Sequence, residues 1–175
     1  MFHLTLFGGT EGEMAVEGTT ALTLFGGTEL RLPTLAQRLA HRKARAATPR
    51  GAFHRWFGLD RNLVVTLFGG TELQRPTLAQ EYAALRQSIE SGVLTREDVE
   101  RHVEAVLRSG TENEEYTSIA IFGACTRSDP EPKEEKAALE STREAGLLDA
   151  DLVRRMTTWI GAPWTLRMRG VASLV

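Results

Sequence analysis

The stretch LTLFGGTE, residues 4–11, recurs letter for letter at residues 22–29, and TLFGGTE returns at 66–72. A fourth, degenerate copy is SIAIFGACT, residues 118–126. A catalytic loop is needed once, whereas a stretch written repeatedly is a structural unit that stacks on copies of itself. Leu4-Thr5-Leu6 alternates apolar and polar side chains, the pattern of a strand with one buried face. Gly8-Gly9 then permits a sharp bend, or a positive φ, that a side chain would forbid. Thr10 and Glu11 resume as a strand toward solvent.

With Phe7, Phe25, Phe68 and Phe122 as markers, the copies are spaced by 18, 43 and 54 residues. If 18 is the bare unit, the later two units exceed it by insertions of 25 and 36 residues. These insertions leave from one place. Pro33, Pro76 and Pro130 each lie eight residues past their phenylalanine, and proline ends a strand because it donates no ladder hydrogen bond. TLAQ at 34–37 and again at 77–80 then opens a helix, with Thr34 and Thr77 as N-caps. Residues 84–106 align with 138–160, so that Gly92 meets Gly146, Leu94 meets Leu148 and Val99 meets Val153. Both read as helix, glycine turn, helix, with Thr95 or Asp149 capping the second helix.

The expected architecture is α+β: a short β-solenoid-like stack of about four FGG coils with inserted helical hairpins. Identical residues of successive coils then lie about 4.8 Å apart. The structural corners are Phe7, Gly8, Gly9, Phe25, Gly26, Gly27, Phe68, Gly69, Gly70, Phe122 and Gly123. The phenylalanines are expected as an internal aromatic column, with Leu6, Leu24, Leu67 and Ile121 as an aliphatic one beside it. An antiparallel β-meander with glycine bulges fits the same alternation. The whole of 1–175 reads as one repeat domain, with units near 2–19, 20–62, 63–116 and 117–175 and helical insertions near 34–59, 77–109 and 133–160.

The bulk numbers are those of an ordinary water-compatible chain: 175 residues, 42% hydrophobic, 25% charged and a net charge of −2, so no global basicity points to nucleic acid. The single cysteine, Cys125, leaves no internal disulfide framework and no Cys-based zinc site. No apolar run approaches the roughly 18 residues of a membrane-spanning helix, and MFHLTLFGGTEGE lacks the basic start and apolar core of a signal peptide. A cytoplasmic protein is expected.

Chemistry is sparse. GGTE lacks the G-x-x-x-x-G-K-[ST] spacing of a phosphate cradle. His3, His41, His54 and His102 show no metal-ligand spacing. Cys125 stands where other copies have threonine and reads as a small strand residue. Glu11, Glu29 and Glu72 would stack as like charges, with Thr126 breaking the file, and read as a solvent face. No catalytic, cofactor-binding or metal residue, no cofactor and no small-molecule substrate are assigned. A non-enzymatic protein is expected.

The near-neutral total hides a split. Residues 31–61 carry eight Lys/Arg against one acid, and residues 81–144 carry fifteen acids against eight bases. The basic-aromatic segment 41–59 supplies candidate partner-binding residues Arg42, Lys43, Arg45, Arg55, Trp56 and Phe57. It could meet a protein, a membrane surface or DNA, or simply tuck its aromatics onto the scaffold while its bases stay solvated. It could also meet the acidic hairpins of another copy, giving electrostatic register to self-association. Membrane is not the favoured partner, and nucleic acid is not expected. The segment around Trp159 and Trp164 reads as a closing strand over one end of the stack. Open coil ends and the apolar VASLV at 171–175 suit assembly.

The strand–FGG–Thr-Glu repeats at 4–11, 22–32, 64–74 and, weakly, 118–126 resemble the C-terminal domain of LiaF-type cell-envelope stress proteins of bacteria. The resemblance implies a compact β-helical domain and a regulatory role toward a stress-response kinase. Gly92-Val93-Leu94-Thr95-Arg96-Glu97 and Gly146-Leu147-Leu148-Asp149-Ala150-Asp151 are similar to SHOCT-type helical hairpins, which implies oligomerisation or attachment. The expected function is a self-associating scaffold or protein-interaction module. The alternative is a regulator in an envelope-stress or signalling pathway, acting through segment 41–59.

Overall fold

A computed structural model describes residues 2–16, 18–47, 62–109 and 116–162. The order is β1 (Phe2–Phe7), β2 (Thr10–Glu13), β3 (Thr20–Phe25), β4 (Thr28–Arg31), α1 (Leu35–Ala47), β5 (Asn62–Phe68) and β6 (Thr71–Gln74), then α2 (Leu78–Glu90), α3 (Arg96–Ser109), β7 (Tyr116–Phe122), β8 (Cys125–Ser128), α4 (Pro132–Glu144) and α5 (Ala150–Thr157). The fold is α+β. Its strands form two four-stranded sheets, β1-β3-β5-β7 and β2-β4-β6-β8.

Every strand pairing is parallel, so the antiparallel meander does not describe this chain. Repetition sets the register: Phe7 pairs with Phe25, Phe25 with Phe68 and Phe68 with Phe122. Across the corners, Thr10, Thr28, Thr71 and Cys125 form one row of the second sheet. The ladder continues around the bends, where Gly26 N–H donates to Phe68 O at 2.9 Å and Thr28 N–H to Gly70 O at 2.9 Å. Each strand pair therefore lies on the next as a translated copy.

The first glycine of each corner is what permits this. Gly26 and Gly69 have φ of +131° and +140°, and a Cβ there would lie 1.9 and 2.0 Å from the carbonyl oxygen of the glycine one pair earlier. The second glycine is less constrained: a Cβ at Gly70 would meet its nearest oxygen at 3.5 Å, and the fourth corner carries Ala124 at this place.

The chain divides into two compact units, one formed by 1–33, 41–76 and 114–129 and the other by 34–40, 77–113 and 130–175. In the first, the expected inside and outside are exchanged. The threonines point inward: Thr23, Thr28, Thr66 and Thr71 are buried, while Leu4 and Leu6 are more than half exposed. The phenylalanine column exists, but it is an outer one. The reason lies in the tightness of the corner. Thr28 Oγ1 donates to Thr23 Oγ1 at 2.7 Å across the bend, a separation too small for facing leucines, and hydroxyls fill it while satisfying each other. Farther from the bend, larger residues take over, and Met14, Ala21, Leu30, Val64 and Leu73 make the apolar interior.

The second unit is helical. Thr77 caps α2 through a capping box with Gln80, and Thr34 makes the corresponding pair of contacts with Gln37. Thr95 Oγ1 accepts from Asp98 N–H, and Asp149 accepts from the N–H groups of Asp151 and Leu152. Gly92 (φ +73°) and Gly146 (φ +70°) end α2 and α4. The apolar faces these caps orient close around Leu35, Leu39, Leu78, Leu85, Val99, Val103, Leu139 and Met156.

Candidate functional site

With threonine inside, the apolar letters of each repeat are displayed. Phe2, Leu4, Leu6, Leu63, Ile119 and Ile121 stand exposed on the outer face of the β1-β3-β5-β7 sheet. Leu22, Leu24, Val65 and Leu67 fill the rows between them, half-buried by their neighbours. Along the corner edge runs the aromatic column. Successive rings of Phe7, Phe25, Phe68 and Phe122 stack at centroid distances of 5.3, 5.0 and 4.9 Å, within 7° of parallel. Each ring is stacked on its neighbours yet open to solvent at its rim, with exposures of 79, 45, 42 and 64%.

Every exposed large apolar residue among the described residues of the strand unit belongs to this one sheet. At full-side-chain areas of 150–250 Å² per aromatic ring, the patch amounts to roughly 1,000 Å². That exceeds the ~300–600 Å² of the largest apolar patch on a typical monomer.

The second sheet presents the opposite chemistry. Glu11, Glu29 and Glu72 stand in register on its outer face. With Glu13, Arg31 and Gln74 nearby, the region forms an open, shallow groove of about 340 Å³. Thr126 stands in register where a fourth glutamate would have added repulsion, and Ser128 Oγ, two residues on, donates to Glu72 Oε1 at 2.6 Å. Among the described residues no group of three or more His, Cys, Asp or Glu is placed to hold a metal ion. Cys125 is exposed, in register with Thr71, and its sulfur receives the Ser118 hydroxyl at 3.3 Å.

The corner residues chosen from sequence are thus brought together into one ladder, although their rings serve the surface and not the interior. The partner-binding candidates are not assembled in the same way. Arg42, Lys43 and Arg45 lie in α1, with Arg42 and Arg45 half-buried and Lys43 exposed. Arg55, Trp56 and Phe57 lie outside the described residues. On the helical unit, Val93 and Leu147 occupy equivalent turns and are both about half exposed, and Arg86 donates a guanidinium N–H to the Leu147 carbonyl.

Two features escaped the sequence reading. One is the outward apolar face, which was legible in a threonine on each side of the first three corners. The other is the burial of Glu81 and Glu135, which occupy equivalent positions 54 residues apart. Among the described residues no helix is long and apolar enough to cross a membrane. No family model, curated protein or solved structure matches the chain.

Proposed function

We propose that this protein is a non-enzymatic, self-associating scaffold of the cytoplasm, built on a β-solenoid-like stack of four FGG coils. The observation that supports this reading is the apolar face of the first sheet, with its rows of Leu, Val and Ile and its open phenylalanine ladder. Two such faces meeting would remove about 2,000 Å² from water, at the upper end of a standard specific interface. Burial of this kind is worth about 25 cal/mol per Å² before the costs of association. The face carries almost no hydrogen-bonding side chains, which suits a second apolar sheet better than a polar ligand.

Light scattering behind size exclusion, over a range of protein and salt concentrations, tests the reading. Apolar association is expected to persist or strengthen at high salt, because salt screens charge and not hydration of apolar surface. Leu6→Lys together with Ile121→Lys places charges on the face at exposed positions and is expected to shift the population toward monomer with the far-UV spectrum unchanged. A wild-type protein that remains monomeric at every concentration and salt would remove the scaffold reading.

A further inference from the structure

We propose that the outer edge of β1 and β2 receives the outer edge of β7 and β8 of a second copy, so that the strand pairs of one molecule continue into the next in parallel register. This inference rests on the self-associating reading and adds to it a contact between edges, distinct from the meeting of apolar faces.

The hydrogen bonds around the corner have one direction. At the corner and at the end of the second strand the earlier pair donates and the later pair accepts, whereas at the start of the first strand Leu63 N–H donates back to Thr19 O at 2.8 Å. Gly8, Gly26 and Gly69 N–H donate to Phe25, Phe68 and Phe122 O. Thr10, Thr28 and Thr71 N–H donate to Gly27, Gly70 and Ala124 O, and Met14, Leu32 and Arg75 N–H donate to Arg31, Gln74 and Ser128 O. Among the described residues no strand lies beyond β1 and β2 or beyond β7 and β8. At these three places the fourth pair therefore ends in donors, the N–H groups of Gly123, Cys125 and Asp129. At the matching places the first pair ends in acceptors, the carbonyls of Phe7, Gly9 and Glu13. One edge is the complement of the other, spaced by the same repeat. Translating the pattern once more joins Gly123 to Phe7, Cys125 to Gly9 and Asp129 to Glu13.

The corner sterics agree. At Gly26, Gly69 and Gly123 the carbonyl oxygen of the preceding corner lies within 2.0 Å of where a Cβ would be. Gly8 shares the left-handed φ of Gly26 and Gly69, at +99°, with nothing within 4 Å of its Cβ position. That open place is where a carbonyl of a fourth pair would arrive. The rings of Phe7 and Phe122, the two most exposed of the ladder, would then meet as the inner rings do.

Side chains at the two ends also fit. The leucine row Leu30–Leu73 runs into Gly12 at one end and Arg127 at the other, so the largest member of the row would face the one without a side chain. Thr126 would lie against Glu11, so the file of glutamates is not extended across the junction. Because the two edges differ, the contact is heterologous and adds copies in one direction.

The test places thiols on the two edges at exposed positions, E11C and T126C, in a background where C125S removes the native thiol. Under mild oxidation the double variant is expected to give a ladder of disulfide-linked dimers, trimers and larger species. The two single variants mixed together are expected to give a dimer and nothing larger, and each single variant alone to give no cross-link. Cross-links within one single variant, between like edges, would overturn the inference. So would a wild type that light scattering shows to be oligomeric while the double variant stays uncross-linked; in that case self-association stands and the edge geometry falls. A protein monomeric by light scattering with no ladder overturns both. As a second measurement, Thr126→Glu sets like charges against Glu11 and is expected to weaken association by roughly two- to fivefold, with Glu11→Lys restoring it.

Discussion

The carboxylate of Glu81 accepts a 2.7 Å hydrogen bond from the backbone N–H of Leu35, across 46 residues of sequence. Leu35 opens α1, and the first N–H groups of a helix have no partner within it. Both residues are buried, so water cannot take the place of the carboxylate. The repeats explain the pairing. TLAQE at 77–81 matches TLAQR at 34–38, with Arg38 standing at the place of Glu81. At the far end α4 starts with Pro132, which has no N–H to satisfy.

Glu81→Ala should therefore cost about 1.5–3 kcal/mol, the worth of a hydrogen bond to a charged group whose partner is left buried. Glu81→Gln keeps an acceptor and should cost less. Urea denaturation of the two variants beside wild type measures both. Equal losses would show that the carboxylate is not acting through Leu35.

The two glycines of a corner should respond differently to alanine. Gly69→Ala drives a Cβ to 2.0 Å from the Gly26 carbonyl at a φ of +140°, and the expected loss is upward of about 3 kcal/mol, or failure to fold. Gly70→Ala meets nothing closer than 3.5 Å and is expected to be neutral or to stabilise by up to about 1 kcal/mol, since alanine narrows the unfolded ensemble. Thermal melts followed by circular dichroism separate the two, and comparable losses at both sites would refute the distinction.

Periodicity made the elements legible, because it depends on local chemistry. Pro33, Pro76 and Pro130 each follow the end of a strand by two residues, and Thr77, Asp149, Gly92 and Gly146 cap or stop helices where their side chains, or lack of one, require it. Which face of a strand is buried was not legible in the same way. Leu4-Thr5-Leu6 taken alone carries an alternation but no sign of which half faces inward, and a preference for apolar cores selects the leucines; the sign lies across the corner, in the second threonine at residue 10. The deciding quantity is the narrow space beside the corner, set by the bend at Gly8, Gly26 and Gly69, which paired threonine hydroxyls fill at the first three corners. Glu81 was hidden for a different reason: its partner Leu35 lies in another repeat, and no local rule connects them.

Those hydroxyls form a continuous chain. Thr5, Thr10, Thr23, Thr28, Thr66 and Thr71 are linked in order by Oγ1–Oγ1 distances of 2.5, 2.9, 2.7, 3.1 and 2.8 Å. Ala120 and Cys125 end it in the fourth pair. Thr66→Val keeps the shape and removes one link from the middle, leaving buried hydroxyls on Thr28 and Thr71 short of a partner, for an expected loss of about 1–3 kcal/mol. Thr66→Ser keeps the hydroxyl and gives up only a methyl, about 1 kcal/mol. If valine proves as stable as threonine in urea titrations, shape alone fills the corner and the chain of hydroxyls contributes nothing.

Alkaline stability should depend on Tyr82. Its ring is buried in the helical core, and burial pushes the phenol well above its ordinary value, opposed only in part by the positive charge of Arg155. The folded state thus holds the proton more tightly than the unfolded chain, whose tyrosine titrates near pH 10. The resulting stabilisation is fully present below that pH and is lost as pH rises through the folded value. Above about pH 10 the loss approaches 1.4 kcal/mol per pH unit from this residue alone. Tyr82→Phe has no phenol to ionise. Urea denaturation of both proteins from pH 7 to pH 11 should show the wild type losing stability faster above pH 10, with the difference between the two curves isolating Tyr82. Parallel curves would mean that the phenol reaches solvent in the folded state.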